Sequence, residues 1–278
     1  MSGDRIDWGH VLIQAAAIVC SYPDTSVTLR QLFYRLVAEQ VIPNDQGAYK
    51  GLSRVTAAAR RDRTFPRLID RGRRIEENET WESPQGALDD AASIYHRDRT
   101  EGQAWSVHLG VEKAGMIDQL REWFGSSLGI PVLPLGGYAG QEFVDDVIEH
   151  VEAAKRPAVL LYAGDFDASG EDIDRDFIER TGCWHKIVRV GLTRAQVEQF
   201  NLTIGVGKAK DSRAPGFIER HGSNMQVELD ALDPSDLRAL YSEAIADFWD
   251  TSAYEAVLAH EKAERNQLLA LARDWDAL

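Results

Sequence analysis

The sequence predicts an α/β protein in which an N-terminal helical domain precedes a small parallel sheet, and three observations carry that expectation. From Trp105 onward, short apolar runs alternate with helical patterns, the order that yields parallel strands joined by right-handed crossovers. Up to Arg61 the apolar spacing is helical throughout. Between the two, residues 76–104 are polar and contain Pro84 and Gly86, which marks a boundary. The expected division is therefore a helical domain over 1–80, a linker helix within 81–104 and a sheet-bearing domain over 105–278.

Ile6, Val11, Leu12, Ala15, Ile18 and Val19 recur at helical spacing and stop before Tyr22-Pro23, giving a first helix over 5–21. Thr28 is the N-cap expected for a second helix, TLRQLFYRLVAEQ, which ends ahead of the turn cluster IPNDQG. A third helix, Tyr49 to Arg61, puts Leu52, Val55 and Ala58 on one face and its arginines on another. One helix is expected from Ala87 to His96. Then come the strand SVHLGV, a helix from Ala114 to Phe124, the strand PVLPL and a helix from Gln141 to Ala154. The next apolar run, Val159 to Tyr162, has the continuous character of a strand covered on both faces. KIVRVG supplies a fourth strand, and after a loop over 205–216 two helices run to Leu278. The apolar residues of the last helix, among them Val257, Leu268 and Leu271, read as a packing or dimer face.

The composition narrows the function classes. With 44% hydrophobic residues, the 278-residue chain has enough apolar material for real cores. Cys20 and Cys183 are the only cysteines and lie far apart, which argues against a zinc site or a disulfide framework and suits a reducing cytoplasm. No apolar run approaches membrane-spanning length, and MSGDRIDWGH has neither the basic nor the apolar part of an export signal. The net charge of −14 opposes general polyanion binding, yet Lys50 to Arg74 holds nine basic residues against Asp62 and Asp70, a local balance of +7. Such concentration points to a localised anionic partner. Three short helices with a basic third one resemble a helix-turn-helix, so double-stranded DNA is the expected partner and Lys50, Arg54, Arg60, Arg61 and Arg63 its candidate contacts. Residues 205–210, GVGKAK, do not make a P-loop, because the spacing is short and Ala209 stands where a metal-binding hydroxyl is needed.

The candidate chemistry gathers around VLLYAGDFDASGEDI, where a strand ends in Asp165 and Asp167 and runs into a helix. Two carboxylates at a spacing of two, at the carboxyl edge of a parallel sheet, offer hard oxygen ligands suited to Mg²⁺. The competing reading is an acidic turn that caps the next helix, with Ser169 as N-cap. Glu112 follows the first strand, in VEKAG, and adjacent strand ends would bring it to Asp165 and Asp167. Arg30 and Tyr34 lie four residues apart on one helix face, a spacing at which a guanidinium can hold a phosphate beside a phenol; periodicity alone equally fits a Tyr34 ring packed with Leu32 and Phe33.

One Glu after a first strand and Asp-x-Asp after a later one resembles the Toprim fold of topoisomerases, primases and some nucleases. Taken in order, LRQLFY, VEKAG, GGYAGQEF, GDFDASGEDI, GLTRAQVEQFNL and VELDAL resemble the A subunit of type IIB topoisomerases and the related meiotic double-strand-break enzymes, over roughly residues 25–245. The resemblance implies a winged-helix-like domain followed by a Toprim domain. It implies Tyr34 as a nucleophile that becomes linked to a DNA 5′ end, Arg30 as its phosphate partner, and Glu112, Asp165 and Asp167 as Mg²⁺ ligands. It further implies a homodimer whose subunits share active sites, a separate ATPase subunit for strand passage, and a place in the cytoplasm on the nucleoid. Gly137-Tyr138-Ala139 stands where the family has Gly-Tyr-Pro. Two alternatives remain open: a Toprim nuclease that activates water, and a non-cleaving protein that recognises DNA crossings or bends.

Overall fold

The computed structural model describes residues 6–22, 27–68, 80–207 and 211–273. Three helices form the N-terminal unit: α1 (Trp8–Cys20), α2 (Leu29–Ala38) and α3 (Gln46–Arg61). Each starts where a side chain satisfies the free amides of its first turn. Asp7 caps α1. Thr28 caps α2 in a reciprocal capping box with Gln31, and Asp45 caps α3. That last cap starts α3 three residues earlier than apolar spacing alone indicates. Val11, Ala15, Leu32, Phe33, Leu36 and Leu52 meet in a core that belongs to this unit alone. Residues 69–79, on which part of the winged-helix expectation falls, lie outside the described residues, as do Arg71, Arg73 and Arg74.

Helix α4 (Pro84–Ile94) begins ahead of its expected start because Ser83 caps it and Pro84 opens it. It packs along the last helix, residues Thr251–Arg273, through a charged seam in which Glu261, only 2% exposed, binds Arg99 and Arg265 at 2.8 Å each. The segment expected as a linker is thus held against the C-terminal helix.

The second unit is built on a four-stranded parallel sheet, β1 (Ser106–Val111), β2 (Val132–Pro134), β3 (Ala158–Ala163) and β4 (Lys186–Gly191), in the order β2-β1-β3-β4. Every residue of β1 and β3 is buried, as their continuous apolar runs require. Alternate residues of β3 serve two cores. Val159, Leu161 and Ala163 face one, with Met116, Phe124 and Tyr241; Ala158, Leu160 and Tyr162 face the other, with Val147, Val151 and Phe177.

The connections follow the expected alternation. After β1 a 3₁₀ turn leads into α5 (Ile117–Leu120), a π turn over Arg121–Gly125 and α6 (Ser126–Leu128), a longer helical stretch than the expected one. Helix α7 (Gln141–Ala153) joins β2 to β3, and α8 (Ala168–Thr181) joins β3 to β4. The chain leaves β1 toward β2 and β3 toward β4, so the connections after the two central strands run to opposite sides of the sheet. That divergence is the crevice where open α/β sheets place their ligands.

After β4 come α9 (Arg194–Gln199), β5 (Gly205–Val206), α10 (Ala214–His221), β6 (Met225–Gln226), α11 (Pro234–Ala246) and α12 (Thr251–Arg273). Where two C-terminal helices were expected after the 205–216 loop there are three, because Pro215 favours a helical first turn and Gly222 closes it in the left-handed conformation. No helix among the described residues is long and apolar enough to cross a membrane.

Candidate active site

The register of the two central strands sets the site. Val111 pairs with Ala163, so Glu112 leaves β1 level with the end of β3, and its Oε2 accepts a hydrogen bond from the Asp165 amide at 2.7 Å. Asp165, 6% exposed, turns its own carboxylate inward, where Oδ1 accepts from the Leu229 amide at 2.8 Å. Leu229 reaches this place because Phe166 and Val227 form an antiparallel bridge, which lays VELDA alongside the acidic loop. The bridge also delivers Glu228 and Asp230.

Two glycines make the close approach possible. A Cβ on Gly170 would stand 2.5 Å from the Asp165 carbonyl oxygen and 3.3 Å from Glu112 Oε2. A Cβ on Gly136 would stand 2.6 Å from the Glu112 carbonyl oxygen. The 2.5 and 2.6 Å approaches to backbone oxygens are shorter than a side chain tolerates.

Asp167 has a different task from its neighbour. Its backbone is extended and its Oδ1 accepts from the Gly170 amide at 2.7 Å, so it is the N-cap of α8. Ser169, the cap expected from sequence, lies inside the helix instead. The physical reason is position: the chain turns helical at Ala168, and only the residue before that turn has the extended backbone a cap needs.

Lys113 sits among the acids. Its Nζ lies 2.5 Å from Asp165 Oδ2, 2.9 Å from Glu228 Oε2 and 3.8 Å from Glu112 Oε1. Burial works against its charge, but the Asp165 and Glu228 carboxylates outweigh that penalty and hold its pKa above the ordinary lysine value. Arg30, on α2, closes the cluster from the helical unit, with Nη2 2.5 Å from Glu228 Oε2 and Nε 3.4 Å from Asp230 Oδ2. The two units are locked further by a buried amide pair, Gln31 Nε2 to Gln119 Oε1 at 3.0 Å, and by the Tyr22 hydroxyl donating to Asp233 at 2.6 Å.

Glu112, Asp165, Glu228 and Asp230 outnumber the two cations that face them. Burial, and then the Asp165 charge, push Glu112 up to about 7; burial pushes Asp230 up to about 6. Asp230 Oδ2 is buried, accepts no hydrogen bond and meets Arg30 Nε only across 3.4 Å. Carboxylates in this condition are short of positive charge. Among the described residues no three carboxylate, histidine or cysteine groups stand in metal-binding geometry, and the Lys113 ammonium lies among the acids. The oxygens that face Lys113 are all carboxylate, the hard ligand class that Mg²⁺ takes.

Tyr34 is half-buried on α2. Its ring meets Phe33 edge-on at 5.3 Å, and Phe33 in turn meets Tyr49 at 5.2 Å. Arg30, Tyr34, Tyr49, Asn44 and Gln46 line a cavity of about 300 Å³ beside it. Burial and the Glu228 charge raise the phenol's pKa, while the adjacent Arg30 lowers it. The Tyr34 ring is thus packed on Phe33 while its hydroxyl lies beside the Arg30 guanidinium. Lys50, Arg54 and Arg61 on α3 and Arg63 just after it are exposed, whereas Arg60 is half-buried and donates from Nε to the Thr56 carbonyl at 3.3 Å.

Sequence reasoning passed over four residues of this cluster. Lys113 adjoins Glu112 in VEKAG, and Glu228 and Asp230 stand two apart in VELDAL, where Glu228 is extended and a 3₁₀ turn over Leu229–Ala231 carries Asp230. Arg189, the second cation in KIVRVG, pairs with Asp174 and donates from Nη2 to the Asp165 carbonyl at 2.7 Å, which holds the acidic loop. No family model and no curated protein matches this chain.

Proposed function

We propose that the protein is a homodimeric, Mg²⁺-dependent DNA transesterase of the topoisomerase VI A-subunit type, with a winged-helix-like unit and a Toprim sheet. The observation that carries this reading is the continuity of Tyr34 and Arg30 with the strand-end acids, through Glu228 and Lys113. A nucleophile, a phosphate-binding cation and a set of hard ligands then address one point on a DNA strand.

In the proposed step Tyr34 Oη forms a bond to phosphorus and the bond to the 3′ oxygen breaks. The phosphate stays on the 5′ end, and the phenolic proton passes, in net terms, to the departing 3′ oxygen. Arg30 binds the non-bridging oxygens in the bidentate manner of a guanidinium. Glu112 and Asp165 would hold Mg²⁺, with Asp167 keeping one oxygen committed to its cap, and the ion would stabilise charge on the phosphate and the leaving oxygen. Lys50, Arg54, Arg60, Arg61 and Arg63 hold the duplex through its phosphates. ATP-driven strand passage falls to a separate subunit.

The test is supercoiled plasmid with protein and Mg²⁺, scored for relaxation, nicking and covalent linkage with and without protease. Tyr34→Phe abolishes the adduct on this reading, and adduct that persists in the variant overturns it. The raised phenol pKa favours a second reading, in which water replaces Tyr34 as nucleophile. Cleavage that leaves ends free of protein and survives Tyr34→Phe identifies that case.

A further inference from the structure

Arg30 does not stand free to receive a phosphate. Its fork is engaged by Glu228 at 2.5 Å and Asp230 at 3.4 Å, and phosphate and carboxylate compete for the same donors. The Glu228 oxygen that holds Arg30, Oε2, also lies 2.9 Å from Lys113 Nζ, and Lys113 reaches Asp165 at 2.5 Å. One carboxylate oxygen therefore joins the guanidinium of α2 to the ammonium that fills the acid cluster.

Resting on the reaction proposed above, we infer that Glu228 is a positioning residue that couples cation binding to DNA binding. It holds Arg30 off the DNA while Lys113 neutralises the acids, and it gives Arg30 up when a divalent cation takes the place of Lys113. The direction follows from electrostatics. A double charge beside Asp165 expels the ammonium and outcompetes a guanidinium for the Glu228 carboxylate. Substituting Glu228 strips neither cation of every partner, because Lys113 keeps Asp165 and Arg30 keeps Asp230. The Glu228 charge also opposes ionisation of Tyr34, so its withdrawal favours the nucleophile. Linkage is reciprocal: DNA that captures Arg30 frees Glu228 and strengthens the cation site by the same factor.

The experiment uses the full chain carrying Tyr34→Phe, so that no cleavage occurs. Anisotropy of a labelled short duplex is measured in EDTA and in Mg²⁺ at matched ionic strength. The expected parent binds DNA roughly tenfold tighter with Mg²⁺. Glu228→Gln and Glu228→Ala bind in EDTA about as tightly as the parent does in Mg²⁺, and their Mg²⁺ dependence is lost. Calorimetric Mg²⁺ titration of the parent shows the reciprocal gain when duplex is present. If both Glu228 variants retain the parent's Mg²⁺ dependence while Arg30→Ala weakens DNA binding, the coupling is wrong and the functional reading stands. If Arg30→Ala and the Glu228 variants all bind DNA as the parent does, Arg30 is not a phosphate ligand, and both fail.

Discussion

Among the described residues Lys113 is the only ammonium at the strand-end acids, and replacing it by Met removes that charge and keeps the length of the side chain. The side chains of Lys113 and Asp165 are 14% and 8% exposed, so the variant leaves a nearly buried carboxylate facing Glu112 and Glu228 with no counter-charge at its centre. Breaking a buried pair from one side costs about 3–5 kcal/mol; the residual solvent access here places the cost near the lower end, about 3 kcal/mol. For a chain of this size that lowers Tm by roughly 6–12 °C. Mg²⁺ should then do what the ammonium no longer does. At a hundredfold excess over its dissociation constant the ion restores about 2.7 kcal/mol, most of the loss. Thermal melts followed by circular dichroism, in EDTA and in Mg²⁺, measure both quantities. The expected pattern is a destabilised variant whose Mg²⁺-induced rise in Tm clearly exceeds that of the parent, in which the ion must first displace Lys113. A variant that melts with the parent, or equal Mg²⁺ shifts in the two proteins, would refute the cation-site reasoning.

Gly170→Ala forces a Cβ to 2.5 Å from the Asp165 carbonyl oxygen; the displaced loop should cost about 1–3 kcal/mol in urea unfolding and diminish Mg²⁺-induced stabilisation, and a neutral result would show that the cradle yields freely. His108 is fully buried beside His150 and Trp184, and burial depresses its pKa to about 4. Because the unfolded chain takes up the proton first, near pH 6.5, the stability this histidine contributes is present above that pH. It is lost as pH falls to 4, by about 3 kcal/mol in all. Comparing the pH dependence of unfolding in the parent and in His108→Phe isolates this contribution, and parallel curves would discount it. Arg54→Ala, on the exposed face of α3, should weaken duplex binding evenly across sequences and reduce the salt slope by about 1; an unchanged slope would remove Arg54 from the DNA face.

Much of this architecture is legible in the sequence because its signals are local. The run AVLLYA can be covered on both faces only as a central strand, and SVHLGV and KIVRVG occupy the expected strands residue for residue. Thr28 caps α2 because a hydroxyl before LRQL satisfies an amide three residues on, a reach that needs no tertiary contact. Strand alternation likewise put Glu112 beside Asp165, since neighbouring parallel strands end at one edge.

What the sequence could not determine was how the charges pair. Asp165 and Asp167 look equivalent in GDFDASG, yet one faces a buried lysine and the other caps a helix, because the first helical residue falls between them. Lys113 and Arg30 share Glu228 only because a bridge 61 residues further along, Phe166 to Val227, draws a distant segment over the acidic loop. By itself the sequence determined the strands, the caps and the edge at which the acids emerge, all of which follow from backbone period and nearest neighbours. Tertiary structure alone decided that these acids are held by two cations from separate units, since electrostatic partners are chosen by distance in space and not by distance along the chain.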